Sequence, residues 1–173
     1  PESYTVWGSE TETMIDIDGA DGISFENILF RANGFNYSNE REYSQAAYDA
    51  TTCISYKNAK NFKIKNCEFK DIASCALFLG EAVQNVEIDS CVFNNIGAQA
   101  VFIHGKNIDA DDPAVTKNIS VTNNCISEYG RVYYNAVGIL VIHANSVDIS
   151  HNEVHDGYYT AISVGWVWGY SYS

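Results

Sequence analysis

Residues 61–80, NFKIKNCEFKDIASCALFLG, recur 24 positions further along the chain as residues 85–104, NVEIDSCVFNNIGAQAVFIH. Residues 146–165, SVDISHNEVHDGYYTAISVG, follow the same pattern, and shorter copies begin near Ile23 and Ile119. A unit of about two dozen residues is too small to bury an apolar face by itself. We therefore expect successive copies to stack on one another.

Apolar residues alternate with polar ones inside each copy, which indicates β-strands because successive side chains of a strand point to opposite faces. Aligning the copies gives three strands in each. The first strand has the apolar columns Ile23, Phe62, Val86, Ile119, Val147 and Phe25, Ile64, Ile88, Val121, Ile149. The second ends in Phe30, Phe69, Phe93, Ile126, Val154. The third has Ile15, Ile54, Leu77, Val101, Ile139, Ile162 and Ile17, Tyr56, Leu79, Ile103, Val141, Val164.

This alignment predicts an all-β fold, a parallel β-helix (a solenoid) of about five coils with three short strands per coil. It forms a single domain over residues 1–173. An antiparallel barrel or a sandwich of short strands is the alternative. Hairpins of such folds favour Asn-Gly turns, whereas the single Asn-Gly of this chain, Asn33-Gly34, lies in an insertion. No segment sustains the 3.6-residue apolar period of a helix.

The composition agrees with a sheet that turns often. The chain has 17 Ile and 14 Val but four Leu, and β-branched residues favour strands. Its 17 Asn and 12 Gly suit tight bends with left-handed backbone. One bend column, Ile28, Cys67, Cys91, Asn124 and Asn152, points inward by the alignment, and we expect its two asparagines to share amide hydrogen bonds between coils.

The net charge of −12 excludes nucleic acid and anionic membranes as partners, because both would repel the chain. The five cysteines do not form a disulfide framework, and we expect buried free thiols. The sequence indicates no cofactor and no metal. His151 and His155 lack the helical spacing of a metal motif. The loop acids Asp109, Asp111 and Asp112 leave calcium binding open.

Two long insertions, from Phe30 to Cys53 and from Ile126 to Gly138, leave the coils at the same corner. This corner is rich in aromatic residues: Phe35, Tyr37, Tyr43, Tyr48, Tyr129, Tyr133, Tyr134, Tyr158 and Tyr159. Exposed aromatic rings indicate a surface that binds a ligand by stacking, and sugars present C–H faces that pack against such rings. Packing of the rings on the strands beneath is an equal alternative.

A column of polar residues follows the second strand beside these insertions: Asp71, Asn95, Glu128 and Asp156. Glu128 and Asp156 belong to adjacent coils, so their backbones should lie about 5 Å apart. Glycoside hydrolysis uses two carboxylates at comparable separations. We predict Glu128 and Asp156 as catalytic residues, and Tyr129, Tyr133, Tyr134, Tyr158, Tyr159, His155 and Asp71 as substrate-binding residues. The other interpretation is that these acids only cap exposed turns.

The coil pattern resembles the right-handed parallel β-helix proteins of bacterial polysaccharide degradation. The segments GILVIHANSVDISHNEVHD and YYTAISVGWVWGY resemble family 141 of the glycoside hydrolases. Within the second segment, Gly165-Trp166-Val167-Trp168-Gly169 is more specific to this resemblance than the general coil pattern is. The resemblance implies a right-handed helix and activity on plant-type glycans, as an α-L-fucosidase or a xylanase. Members of that family continue for several coils past this stretch, so we expect the 173 residues to be one segment of a longer chain.

The sequence therefore predicts an extracellular or periplasmic glycoside hydrolase whose partner is a polysaccharide or oligosaccharide, with further β-helix coils of the same parent chain as a possible neighbour. Three other functions stay open. They are a non-catalytic glycan-binding or adhesion module, a structural solenoid that assembles end to end, and a calcium-dependent lyase. The lyase is disfavoured because few Lys or Arg residues lie near the insertions.

Overall fold

The computed structural model describes residues 9–34, 44–109 and 111–166. Within these ranges the chain forms three sheets in which each strand pair is parallel. The first sheet contains β2 (Phe25–Glu26), β5 (Lys60–Lys65), β8 (Gln84–Asp89), β11 (Lys117–Thr122) and β14 (Asn145–Ser150). The second contains β3 (Leu29–Arg31), β6 (Glu68–Ile72), β9 (Val92–Ile96), β12 (Cys125–Ser127) and β15 (Glu153–His155). The third contains β1 (Ile15–Asp18), β4 (Thr52–Lys57), β7 (Cys75–Leu79), β10 (Val101–His104), β13 (Ile139–Ile142) and β16 (Ile162–Gly165).

The order of the strands in each sheet confirms the parallel β-helix. Neighbouring strands in a sheet are three elements apart in the chain, so each coil contributes one strand to each sheet. The sandwich and the antiparallel barrel are thereby excluded. The register also agrees with the sequence alignment, since Phe69 pairs with Phe93 and Val101 pairs with both Leu77 and Ile139.

The core lies inside the coils, where the predicted columns meet. Like residues stack along the helix axis, as in the Phe69 and Phe93 rings, whose centroids are 4.7 Å apart with an interplanar angle of 6°. Tyr56 and Phe62 stack across two sheets at 3.9 Å. Each coil therefore buries its apolar face against the coil above and the coil below.

The corners are turned by residues with positive φ, among which asparagine is the most frequent. Asn61, Asn85 and Asn118 have φ of 58°, 57° and 57° and occupy equivalent positions in successive coils. Their side chains form an exposed ladder, in which Nδ2 of Asn85 donates to Oδ1 of Asn61 at 2.8 Å. The left-handed conformation suits Asn because its short amide bonds locally. Left-handed corners thus account for eight of the 17 asparagines.

An internal ladder runs at the bend between the first and second sheets. Cys67, Cys91 and Asn124 are buried there, and Nδ2 of Asn124 donates to Oδ1 of Asn152 at 2.9 Å. The expected amide hydrogen bond between coils is therefore confirmed. All five cysteines are free, and burial raises the pKa of the Cys53, Cys75 and Cys91 thiols to about 12.

A second apolar cluster covers the outer face of the third sheet. Phe102 and Leu140 point away from the interior and pack with residues of both long insertions, Ala46, Ala47, Tyr133 and Val137 among them. Nε2 of Gln99 donates to the carbonyl of Ala46 at 2.6 Å, which ties the first insertion to the coils. Strand β13 and residues 101–103 of β10 are consequently buried on both faces of the third sheet. In the described part of the chain, no helix has the length and apolar character needed to cross a bilayer.

Candidate active site

The predicted polar column forms the corner between the second and third sheets. Asp71, Asn95, Glu128 and Asp156 have φ of 54°, 57°, 55° and 54°, so each turns its own coil in the left-handed conformation. Asp and Asn tolerate this region, whereas Glu does so less readily. Ser127 pairs with His155, which places the next residues, Glu128 and Asp156, in adjacent coils. The structure thus brings the two predicted carboxylates together as neighbours in the column.

Each of these two carboxylates has a basic partner. Oε1 of Glu128 lies 2.8 Å from Nη2 of Arg131, and Oε2 accepts a hydrogen bond from Nδ2 of Asn94 at 3.2 Å. Oδ2 of Asp156 lies 2.9 Å from Nδ1 of His155. The Asp156 side chain is largely exposed, whereas that of Glu128 is about half buried. The two acids therefore differ in their exposure and in their partners.

Two tyrosines present their rings to solvent beside these acids. Tyr134 is 68% exposed and Tyr158 is 60% exposed, and their rings meet edge to face at a centroid distance of 5.3 Å. Arg131 links them to Glu128, because its Nη1 donates to the Tyr158 hydroxyl at 3.0 Å and its Cζ lies 5.1 Å from the ring centroid. Tyr159, 52% exposed, follows directly in the chain. We call Glu128, Arg131, Tyr134, Asp156 and Tyr158 the aromatic surface.

Tyr129 and Tyr133, which the sequence places on the same surface, lie inside the protein. Tyr129 is 2% exposed and its hydroxyl donates to the carbonyl of Tyr159 at 3.0 Å. Its ring fills the space beside Gly157, where an added Cβ would lie 1.9 Å from the ring's Cζ. Tyr133 is 5% exposed and packs in the outer cluster with Phe102. Buried rings cannot present a face to a sugar, so these two tyrosines stabilise the insertion instead.

The remaining predicted binding residues are spread along the corner. Asp71 is separated from Glu128 by Asn95 in the column, and it pairs with Arg31 at 2.8 Å. A hydrogen bond from Asn95, together with Arg31, lowers the pKa of Asp71. His155 is at the other end, beside Asp156. Tyr48 is exposed, whereas Phe35, Tyr37, Tyr43, Val167, Trp168 and Gly169 lie outside the described residues.

Two groups of possible metal ligands lie near the coils. Cys125, Glu153 and His155 bring one ligand atom each to within 4.8 Å of the others. The alignment of the second strands puts Cys125 beside Glu153, so this pairing could be predicted from the repeat, whereas the position of the His155 ring could not. The loop acids Asp109 and Asp112 instead accept hydrogen bonds within their own loop. A backbone hydrogen bond from Ala114 and one from Asn107 lower the pKa of Asp112.

Residues 8–154 match the protein family described as a right-handed β-helix region. The chain belongs to this family. The family description agrees with the expected handedness of the coils. Comparison with curated protein sequences gives no match.

Among solved structures, a protein titled "Glycoside hydrolase" resembles this β-helix with a TM-score of 0.64 and 24% sequence identity. The similarity covers 68% of this chain and 21% of that protein, so the chain spans about a fifth of its length. At this identity the similarity concerns the fold.

Proposed function

We propose that this right-handed β-helix belongs to a carbohydrate-active protein that binds a polysaccharide or oligosaccharide at the aromatic surface. One observation carries the proposal: two exposed tyrosine rings stand beside a Glu–Arg pair and an Asp–His pair on adjacent coils. Ring faces pack against the C–H faces of sugars, while charged and amide groups bond to the hydroxyls. The similarity in fold to a glycoside hydrolase supports this class of ligand.

The finer proposal is that the protein is a glycoside hydrolase in which Glu128 and Asp156 act on the glycosidic bond. Hydrolysis needs one carboxylic acid to protonate the leaving oxygen and a second carboxylate that either attacks the sugar or activates water. Both acids border the exposed rings, and neither is enclosed. Fucosylated and xylan-type glycans are the substrates that the sequence resemblance suggests, and an extracellular or periplasmic location would follow from such substrates.

A non-catalytic glycan-binding module is the second candidate, and the partners of Glu128 favour it. Its two carboxylate oxygens are engaged by Arg131 and Asn94. A carboxylate held in this way positions Arg131 beneath the Tyr158 ring. This arrangement would serve to bind a sugar even if Glu128 took no part in hydrolysis.

Binding is tested first, by calorimetric titration of the protein with xylo-oligosaccharides and with fucosylated oligosaccharides. We expect Tyr158→Ala to weaken binding at least about 10-fold, because stacked rings contribute on the order of 1 kcal/mol or more. Tyr158→Phe is the matched control, since it keeps the ring and should bind within a few-fold of the original protein. Absence of binding by the unaltered protein, or equal binding by Tyr158→Ala, would refute the proposal.

Catalysis is tested on whichever oligosaccharide binds, by following the release of reducing ends. Glu128→Gln and Asp156→Asn should each lower the rate by about 100-fold or more, while binding is retained. Tight binding with no turnover by the unaltered protein would reject the hydrolase and support the binding module. Unchanged rates in either variant would remove that residue from the catalytic site.

A further inference from the structure

We propose that Cys125, Glu153 and His155 form a zinc-binding site on the outer face of the second sheet. Their ligand atoms lie within 4.8 Å of one another. Side-chain movements of about 1 Å would bring them to the roughly 3.5 Å separation of tetrahedral zinc ligands. A thiolate, an imidazole and a carboxylate are the ligands that zinc takes in proteins. The zinc site shares His155 and its partner Asp156 with the surface proposed to bind sugar. Its existence does not depend on the function proposed above, because it is defined by its three ligands.

The strand register builds this site. Cys125 and Glu153 are direct partners across β12 and β15, and side chains at paired positions of parallel strands point to the same face. His155 follows Glu153 by two residues on β15, so it lies on that face as well. The alternating residues Ile126 and Val154 point into the core. The three ligands are thus supplied by two rigid, hydrogen-bonded strands rather than by a loop.

His155 is already oriented as a metal ligand. Oδ2 of Asp156 lies 2.9 Å from its Nδ1, while its Nε2 faces Glu153, with Oε1 at 3.7 Å. A carboxylate beside Nδ1 favours the tautomer that carries the proton there, which leaves the lone pair of Nε2 free toward Glu153. Histidines that bind metals commonly donate their other ring N–H to a carboxylate in this way. This arrangement is an observation independent of the clustering of the three ligands.

Cys125 is also the accessible cysteine of the chain. Cys53, Cys67, Cys75 and Cys91 are buried, whereas Cys125 is only partly buried and its side chain lies beside exposed Glu153 and His155. An ion can therefore reach the thiol from solvent without opening the coils. Three protein ligands leave one tetrahedral position for water or for a group from outside the chain.

The experiment is a calorimetric titration of the untagged, reduced protein with zinc chloride. We expect one equivalent to bind. Cys125→Ser and His155→Gln should abolish this binding or weaken it at least about 100-fold, and Asp156→Asn should weaken it about 10- to 100-fold through the orientation of His155. His151→Gln is the matched control, because it removes an exposed histidine from the turn before β15 and should bind as the original does.

Two further measurements report the ligands directly. Cobalt(II) should give a thiolate-to-metal charge-transfer band that Cys125→Ser eliminates, and zinc should slow the alkylation of Cys125 by iodoacetamide. Circular dichroism of each variant checks that the coils remain folded. No zinc binding by the unaltered protein, equal affinity in Cys125→Ser or His155→Gln, or an equal loss in His151→Gln would overturn the proposal.

Discussion

Asp89 shows how a single residue holds several coils together. This buried acid at the end of β8 accepts hydrogen bonds from Nδ2 of Asn123 at 2.7 Å and from Oγ1 of Thr122 at 3.1 Å. Nζ of Lys65, from the preceding coil, lies 3.1 Å from its other oxygen. These donors, with the Asn123 amide first, lower the pKa of Asp89 to about 2. The charged carboxylate is thus a link between three successive coils.

We predict that Asp89 makes the stability of the protein fall steeply in acid. Because its pKa in the folded state is below the ordinary value of about 4, the unfolded chain binds more protons between about pH 4 and pH 2, and folding stability is lost as the pH falls through that window. Asp89→Asn should cost about 2 to 3 kcal/mol at pH 7, since Lys65 and the amide donors lose a charged acceptor. Urea denaturation at a series of pH values measures both effects. An equally steep loss in Asp89→Asn would show that other groups are responsible.

At the scale of the element, the bend between the first and second sheets depends on the internal ladder. Oδ1 of Asn124 accepts from the Cys91 amide at 2.9 Å, and its Nδ2 donates to the carbonyl of Ile88 at 3.1 Å and to Asn152. The side chain is buried, so its removal would leave these main-chain groups without either a partner or water. Satisfying buried backbone groups is therefore what Asn124 contributes to the turn.

We expect Asn124→Ala to destabilise the protein by about 2 to 3 kcal/mol, which is the cost of unsatisfied buried hydrogen-bonding groups. Asn118→Ala is the matched control from the exposed ladder, where water replaces the lost amide, and it should cost about 1 kcal/mol or less. Thermal and urea denaturation give the comparison. Equal losses in the two variants would mean that burial of the amide is not what matters at this bend.

The strands could be predicted from the sequence because their signal is local and repeated. A period of two in apolar residues, copied in five coils, specifies strand, face and register together. The insertions carry no such repetition. Tyr129 and Tyr133 looked like exposed aromatics, yet their burial depends on partners distant in sequence, the empty space at Gly157 and the outward Phe102. The apolar outer residues of β10 and β13 were the available sign that this face is covered.

The candidate site was predictable to the same extent as the register. Neighbouring coils put Glu128 beside Asp156, and the same alignment puts Cys125 beside Glu153. What the alignment does not contain is the direction of long side chains. Arg131 joins Glu128 to Tyr158, which lies 27 residues further along the chain, and the spacing of these residues does not predict the contact.

At the scale of the whole molecule, a solenoid is stable because each coil is held by its two neighbours, so a substitution should cost more in a central coil than in a terminal one. Phe93 is fully buried between Phe69 and Ile126, whereas Val154 lies on β15, the strand at the edge of the described second sheet, and is partly exposed. We predict that Phe93→Ala costs about 3 to 5 kcal/mol, as for other large buried rings.

Val154→Ala should lower the free energy of unfolding by about 1 kcal/mol, because the Val154 side chain on β15 is less buried than that of Phe93. Hydrogen exchange adds a test within the unaltered protein, since amides of β9 should exchange more slowly than those of β15 if opening starts from the edge. Similar costs for the two variants, together with uniform exchange along the second sheet, would indicate that the coils unfold as one unit. The free energy of unfolding would then be a property of all coils together, and contacts between neighbouring coils would not explain how stability varies along the chain.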